Sequence, residues 1–497
     1  MKLFEEFTGL KLTEGRARSF AFFVLVTFFL LSFIGCGKKE APPKLLSKFE
    51  KTILNLHYDD GFLSKENIDS LKNLVGDKLD METLVDSICK VLEKESIAFS
   101  KHNITNPIPE AFNVNFFIKN TANMNGYTKP GSQFQDALYG LLADLRSSYR
   151  NSKINLMHIG SRISYESLYD SDDAVREYVY KDFAKRNSGN TDFDSIFTLV
   201  LKEVDKNSIA ILAADFVFSP GKGVDVDKYL ERQRNNIRIR FSHKIEELDL
   251  TVLALKMESD FEGGYWDSKS RNVGKLVAKR PYYIWFIGSP QHLAKIARDK
   301  KLMTSLKTNG YTENKMVFES SNIEKTPNFK VVSAGNIAPI TKENYGFIKA
   351  KDPKDKLTFS VDVNFNDAFR ESAFFADIGN YKWNNEAYEL NVKQPKGKDV
   401  KWTHNLTLNT IEMDRKEFNR AFKGDLKISI IGKIPEWVEK VNSIDDTNIK
   451  TDISEQGRTY GFKHIVEGAY SAFYPTIPMN EPHVLQTLNL NIQLEDK

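Results

Sequence analysis

The chain has 497 residues, 41% of them hydrophobic and 28% charged, with a formal net charge of +3. Such a composition belongs to a globular protein with room for roughly two or three domains. A charge this small places no electrostatic demand for nucleic acid on the chain. With only two cysteines, Cys36 and Cys89, a disulfide framework is excluded.

Residues 1–36 read as a targeting segment. Arg16 and Arg18 precede an apolar run from Phe20 to Ile34 that ends in Gly35-Cys36. A basic flank, a short apolar core and a small residue before the cut make a signal peptide. The run is short for a spanning helix. Phe33-Ile34-Gly35-Cys36 resembles a bacterial lipobox, which implies that Cys36 is lipidated and becomes the new N-terminus. The alternative is an uncleaved anchor. Either way the rest of the chain is expected outside the cytoplasmic membrane; the lipobox reading makes it lipid-anchored in the cell envelope and facing the periplasm. Residues 37–44 form a polar tether without an acidic run.

Residues 45–109 read as a small helical region, with Leu71, Leu74, Leu84, Ile88 and Val91-Leu92 at helical intervals. Cys89 is expected to be a buried, inert thiol there.

Residues 110–305 alternate strand and helix. Val114 to Ile118 is apolar at nearly every position, as suits a strand covered on both faces. It runs into a polar loop, Lys119 to Asn125. Phe134, Ala137, Leu138, Leu141, Leu142 and Leu145 form one apolar helix face. Ile154–Ile159 is a second strand, followed by a helix around 172–185. Ser188 to Asp192 opens another helix, whose buried face carries Phe193, Ile196, Phe197, Val200 and Leu201. A strand from Ile209 to Ala214 ends at Asp215, a helix occupies 225–240, and strands at 250–255 and 283–287 close the region. This alternation predicts an α/β fold with a doubly wound, mostly parallel sheet. In such sheets, ligands sit at the carboxyl ends of the strands.

Three pieces of this region resemble a von Willebrand factor type A (vWA) domain. The opening strand ends in Lys119-Asn120-Thr121-Ala122-Asn123, where the family has Asp-x-Ser-x-Ser. Gly189-Asn190-Thr191-Asp192 is close to the family's Gly-Gly-Thr-Asp, and Asp215 stands where the family has its late Asp. The resemblance implies a metal-ion-dependent adhesion site holding magnesium or a similar hard cation. This sequence departs from it: Lys119 replaces the first Asp and Asn123 the second Ser, while Thr121, Thr191 and Asp215 keep the expected chemistry. A charged lysine has three donors and no lone pair, so it cannot ligate a cation.

Three readings of this degenerate site remain. Lys119 could stand in for the metal and pair with Asp215, it could reach solvent over a vestigial site, or a cation such as magnesium could still bind. No cofactor is expected under the first two.

The stretch 258–280 is expected to be a long loop on the face of the site. Gly263-Gly264 would permit unusual backbone angles there. Tyr265 and Trp266 are candidate partner contacts, with packing on the domain itself as the alternative.

Residues 306–350 form a transition, and from 351 to 497 the period changes to two, with Leu357, Phe359, Val361, Val363 and Phe365 in alternation. An antiparallel β-sandwich-like domain follows. It carries one inserted helix between Gly457 and Ala472, preceded by Asp445, Asp446, Asp452 and Glu455, which read as solvated turn residues or, alternatively, a calcium loop without a known spacing. Together these readings point to a membrane-anchored, non-enzymatic interaction lipoprotein with a protein partner in the envelope. The runner-up is a metal-dependent phosphoesterase centred on Asp215. A solute-binding lipoprotein is a third reading, but only one α/β lobe is legible.

Overall fold

The computed structural model describes residues 44–60, 63, 65–76, 79–95, 112–149, 152–165, 172–177, 179–180, 192–218, 223–320, 326–332, 337, 345–350, 356–365, 367–394, 402–410 and 414–494. The targeting segment with Cys36, residues 37–43 of the tether, and Thr191 lie outside them. Contacts divide the chain into units of 1–51 and 52–497. No helix of the described residues is long and apolar enough to cross a membrane.

The helical region consists of helices Lys44–Asp60, Lys65–Val75 and Met81–Lys94. Asp80 caps the third by accepting the Thr83 N–H at 2.7 Å, satisfying one orphan donor of the first turn. Its apolar stripe, Leu84, Val85, Ile88, Cys89 and Leu92, is buried. Cys89 is in no disulfide.

The centre of the molecule is α/β. It is a mixed seven-stranded sheet in the order β3-β2-β1-β4-β6-β5-β7. The strands are β1 Asn113–Lys119, β2 Ile154–Ile159, β3 Ile163–Tyr165, β4 Ser208–Ala214, β5 Thr251–Trp266, β6 Asn272–Gly288 and β7 Tyr311–Glu319. β1 runs parallel to β2 and β4, with Val114 beside both Ile154 and Ile209. β4 is buried at every position and β1 at all but its first residue, as expected of strands covered by helices on both faces.

Beyond β4 the expected parallel order fails. The helix Val226–Glu247 carries the chain past one strand position to β5, and β6 returns antiparallel to both neighbours to fill the gap. β3 and β7 are antiparallel edges. The stretch 258–280 is therefore no loop. It forms the outer arms of one long hairpin, with Asp260 opposite Lys279 and Gly264 opposite Lys275. Phe261, Tyr265, Leu276 and Arg280 are buried along it, so a period of two was present but masked by glycines and charges.

Gly263 does not have a positive φ. Its role is close approach: a Cβ there would lie 2.7 Å from the Gly126 Cα, in the 3₁₀ turn Ala122–Tyr127 that follows β1. The hairpin is thus seated on the polar loop of the first strand, backbone to backbone.

The late chain divides between two cores. Two four-stranded sheets share one hydrophobic cluster. The first orders β12-β13-β10-β8, from β8 Asn328–Val332, β10 Thr358–Asn364, β12 Tyr388–Lys393 and β13 His404–Thr410. The second orders β11-β14-β17-β9, from β9 Phe347–Ala350, β11 Tyr381–Trp383, β14 Gly424–Gly432 and β17 His483–Leu494. All pairings in them are antiparallel except β17 with β9.

Residues 433–482, expected to belong to this β-rich domain, leave it. Val438, Ile449, Phe462, Ile465, Val466 and Ala469 join the core of the seven-stranded sheet. The inserted helix, Phe462–Phe473, packs along the Val226–Glu247 helix, and Gly468 permits that approach because a Cβ would lie 2.7 Å from the Arg234 carbonyl oxygen. The helix starts later than expected, at Phe462, because Gly461 adopts a φ of 73°. β7 likewise extends the α/β unit beyond residue 305.

The two cores are bolted together by polar contacts. Arg370 Nη1 lies 2.7 Å from Glu319 on β7 and 3.1 Å from Asp367. His483 stacks on Tyr474 with ring centroids 3.7 Å apart, and its Nδ1 is 3.2 Å from the Tyr470 hydroxyl. Burial, helped by the nearby Arg370 charge, pulls the His483 pKa down to about 3.

Three outcomes are expected. Gly263→Ala lowers stability by about 1–3 kcal/mol in denaturant unfolding, because backbone cannot yield as a flexible side chain would. Gly457→Ala, where a Cβ meets nothing within 4 Å, leaves stability unchanged or slightly raised. For His483, the folded chain holds the neutral ring while the unfolded chain protonates below its ordinary pKa of 6.5. Its contribution to stability is therefore present above that pH and lost as pH falls toward 3. Unfolding free energies of His483→Gln measured across that window decline less steeply than those of the wild type.

Candidate functional site

The carboxyl ends of β1 and β4 lie side by side where the direction of strand succession reverses, between a half built as β1, β2, β3 and a half built from β4 onward. Lys119 is the last residue of β1, and Asp215 directly follows β4. Their side chains meet: Lys119 Nζ is 2.6 Å from Asp215 Oδ1, and the two residues are only 3% and 1% exposed. The ammonium also donates to the Val217 carbonyl oxygen at 3.4 Å and lies 4.9 Å from the centre of the Phe193 ring. The Val217 N–H reaches the same Asp215 Oδ1 at 3.4 Å. A buried charge is tolerated where a partner and hydrogen bonds replace water, and this lysine has both. Lys119 does not snorkel to solvent.

Thr121 is also buried, at 5% exposure, and starts the 3₁₀ turn, its carbonyl accepting the Met124 N–H at 2.9 Å. No hydrogen-bond partner among the described residues reaches Thr121 Oγ1 or Asp215 Oδ2. Thr191, the remaining residue of the expected set, lies outside the described residues, although Asp192 beside it caps the helix Phe193–Lys202 by accepting the Ser195 N–H at 2.8 Å.

Asn123 is not part of the charge pair. Its Nδ2 donates to the Trp266 carbonyl at 3.2 Å, and its Oδ1 accepts the Trp266 N–H at 2.9 Å. The side chain imitates a neighbouring strand and clamps the hairpin tip to the loop after β1. Tyr265, expected as a partner contact, is 1% exposed and donates its hydroxyl to Asp446 Oδ2 at 2.7 Å. Its burial gives it to the fold. Trp266 is half-buried and keeps some exposed surface.

Of the two buried charged residues in this region, Arg280 carried no expectation from the sequence and Asp446 was expected in a solvated turn. Arg280, on β6, is 1% exposed and donates to the carbonyls of Gln456 and Arg458 at 3.0 and 3.1 Å. Its guanidinium lies 4.7 Å from the Tyr265 ring centre. Burial alone would lower the Arg280 pKa, but the neighbouring Tyr265, Tyr127 and Asp215 hold it above its ordinary value. Asp446 is 1% exposed and accepts the Ser268 N–H at 2.8 Å. Burial raises its pKa against the opposing pull of the Tyr265 hydroxyl. The reading of solvated turns therefore fails for Asp446. It describes Asp445 and Asp452 better, both exposed: Asp445 accepts the Thr447 N–H and Asp452 caps a short helix through Ser454, whereas Glu455 lies in that helix, mostly buried, and pairs with Arg458. Alternation along β6 would have placed Arg280 inside, had the stretch been read as strand.

A hard cation does not fit the donor set. An ammonium already sits on Asp215 Oδ1, and its charge would repel a metal ion from the second oxygen. Among the described residues no group of three or more His, Cys, Asp or Glu side chains converges on a common point.

Removing one partner of the pair leaves the other charged and buried. Lys119→Met is expected to lower stability by about 3–5 kcal/mol. Lys119→Met combined with Asp215→Leu recovers most of that loss. Chemical denaturation of the three chains checks this, and an unchanged midpoint for Lys119→Met overturns the structural role of the pair.

No protein-family model, no curated protein and no solved structure matches this chain, so its assignment rests on the geometry above.

Proposed function

We propose that this chain is a non-enzymatic protein-interaction lipoprotein of the cell envelope, tethered by a lipid on Cys36. In this reading its α/β unit is a vWA-like domain whose metal-ion-dependent adhesion site is degenerate, and its two four-stranded sheets form a sandwich-like spacer. The observation that carries the reading is the 2.6 Å contact between Lys119 and Asp215 at the switch point of the sheet. It supports replacement of an exchangeable cation by a covalently attached one. A vWA-like unit built this way engages its partner without a metal and cannot be switched by metal supply. The strand order β3-β2-β1-β4 agrees with a wound sheet opening at β1 and β4.

The pair is sealed, so a partner's carboxylate does not reach Lys119 directly. The partner surface then lies around the pair, on the loop after β1 and the hairpin seated against it. The hydrolase reading is weaker for a specific reason. Asp215 would have to hold a metal or activate water, yet one of its oxygens is engaged by a buried ammonium.

Calorimetric titration of the full chain with magnesium or manganese is expected to give no saturable heat. Saturation at micromolar metal would overturn the lysine-for-cation reading. Affinity capture from solubilised envelope is expected to recover a stoichiometric protein partner. Turnover of generic phosphoesters that disappears in Asp215→Ala would instead establish the hydrolase.

A further inference from the structure

The hairpin and the loop after β1 enclose an open cleft of about 620 Å³, on the same end of the sheet as the charge pair. Gly263, Gly264 and Gly274 line it. Gly264 lies against the Trp266 indole.

Charge distinguishes this cleft from an ordinary groove. Lys129 Nζ lies 2.7 Å from Glu262 Oε2, and Lys275 pairs with Glu262 Oε1, so one carboxylate bridges two ammonium groups. A third ammonium, from Lys450, stands 3.3 Å from where a Gly274 Cβ would be. The other acid close to Lys129 is Asp260, which faces Lys279 across the ribbon. Each lysine has three donors, so the bridge to Glu262 leaves donors unused on both. Lys129 and Lys275 are 50% and 65% exposed, in reach of an incoming group. Asn125 and Asn272 supply amide groups at the rim.

We infer that this cleft receives an extended acidic peptide segment, whose carboxylates compete with Glu262 for Lys129 and Lys275. Glu262 acts as an internal occupant: it keeps the lysines ordered and weakens binding of anything less acidic than itself. This deepens the interaction reading above, which it rests on, by naming where the partner docks and with what chemistry.

The test uses fluorescently labelled hexaglutamate, hexalysine and free glutamate, titrated against the full chain by anisotropy. Hexaglutamate is expected to bind saturably and to weaken as salt rises. Glu262→Gln releases both lysines and is expected to tighten binding several-fold. Lys129→Ala with Lys275→Ala abolishes it while leaving the thermal midpoint unchanged, because both residues are exposed. Absence of saturable binding to both the wild type and Glu262→Gln overturns the inference. So does equal binding of hexalysine, or full competition by free glutamate at equal concentration, which would mark a small-anion site instead. If affinity capture recovers the same partner with the double lysine variant, the cleft is wrong and the interaction reading stands. If capture recovers nothing while hexaglutamate binds, the cleft stands and the envelope-partner reading fails.

Discussion

A buried ion pair, Lys119 with Asp215, is the constraint on which this structure turns. Two charges removed from water are tolerated only when each is the other's solvent and the remaining lone pairs and protons find partners. Here the lysine stem comes up the centre of the sheet on β1, and the carboxylate meets it from the neighbouring β4. Because the pair joins the two halves of the mixed seven-stranded sheet at their common seam, it couples placement of the first half to that of the second. A metal ion could do the same, but it would depend on supply and could leave. An ammonium attached to the backbone cannot.

The surroundings of the pair follow from keeping water away from it. The 3₁₀ turn after Lys119 folds over the strand end, and the long hairpin β5–β6 is drawn onto that turn. Two devices hold it there: the glycine-on-glycine approach of Gly263 to Gly126, and the two hydrogen bonds between Asn123 and the Trp266 backbone. The far edge of the hairpin is covered by residues from much later in the chain. Arg280 reaches the carbonyls of Gln456 and Arg458, and Tyr265 reaches Asp446. The end of the sheet where a ligand would sit is therefore built from three distant stretches of sequence. The charge pair lies inside it and an open, lysine-rimmed cleft outside.

Much of the first half was legible from residue pattern. Continuous apolar runs marked β1 and β4, because a strand covered on both faces has no polar position to spare. The apolar stripe of Gln133–Ser148 and the cap at Asp192 marked helices. Lys119 at the end of an apolar strand pointed to a charge partner, since a lysine at a buried strand end needs a carboxylate. The hairpin was not legible. Gly263-Gly264 and the run of Lys, Ser and Arg carry loop composition, and the reason for the glycines was a neighbouring backbone 137 positions earlier, at Gly126. Local sequence also gave Tyr265 and Trp266 the look of an exposed pair, when the first is bonded to Asp446 and buried.

The sequence by itself determined the local rules: where most strands and helices of the first half lie, which faces are apolar, and that position 119 carries an ammonium that cannot ligate a cation. Those depend on neighbours within a few residues and on the donors a side chain carries. Tertiary structure decided which core each apolar face enters. The helix Phe462–Phe473 joins the α/β unit instead of the sheets that flank it in sequence, and β6 inserts antiparallel between β4 and β5. Hydrophobic burial is non-directional, so an apolar stripe states that it must be covered without naming the surface that covers it.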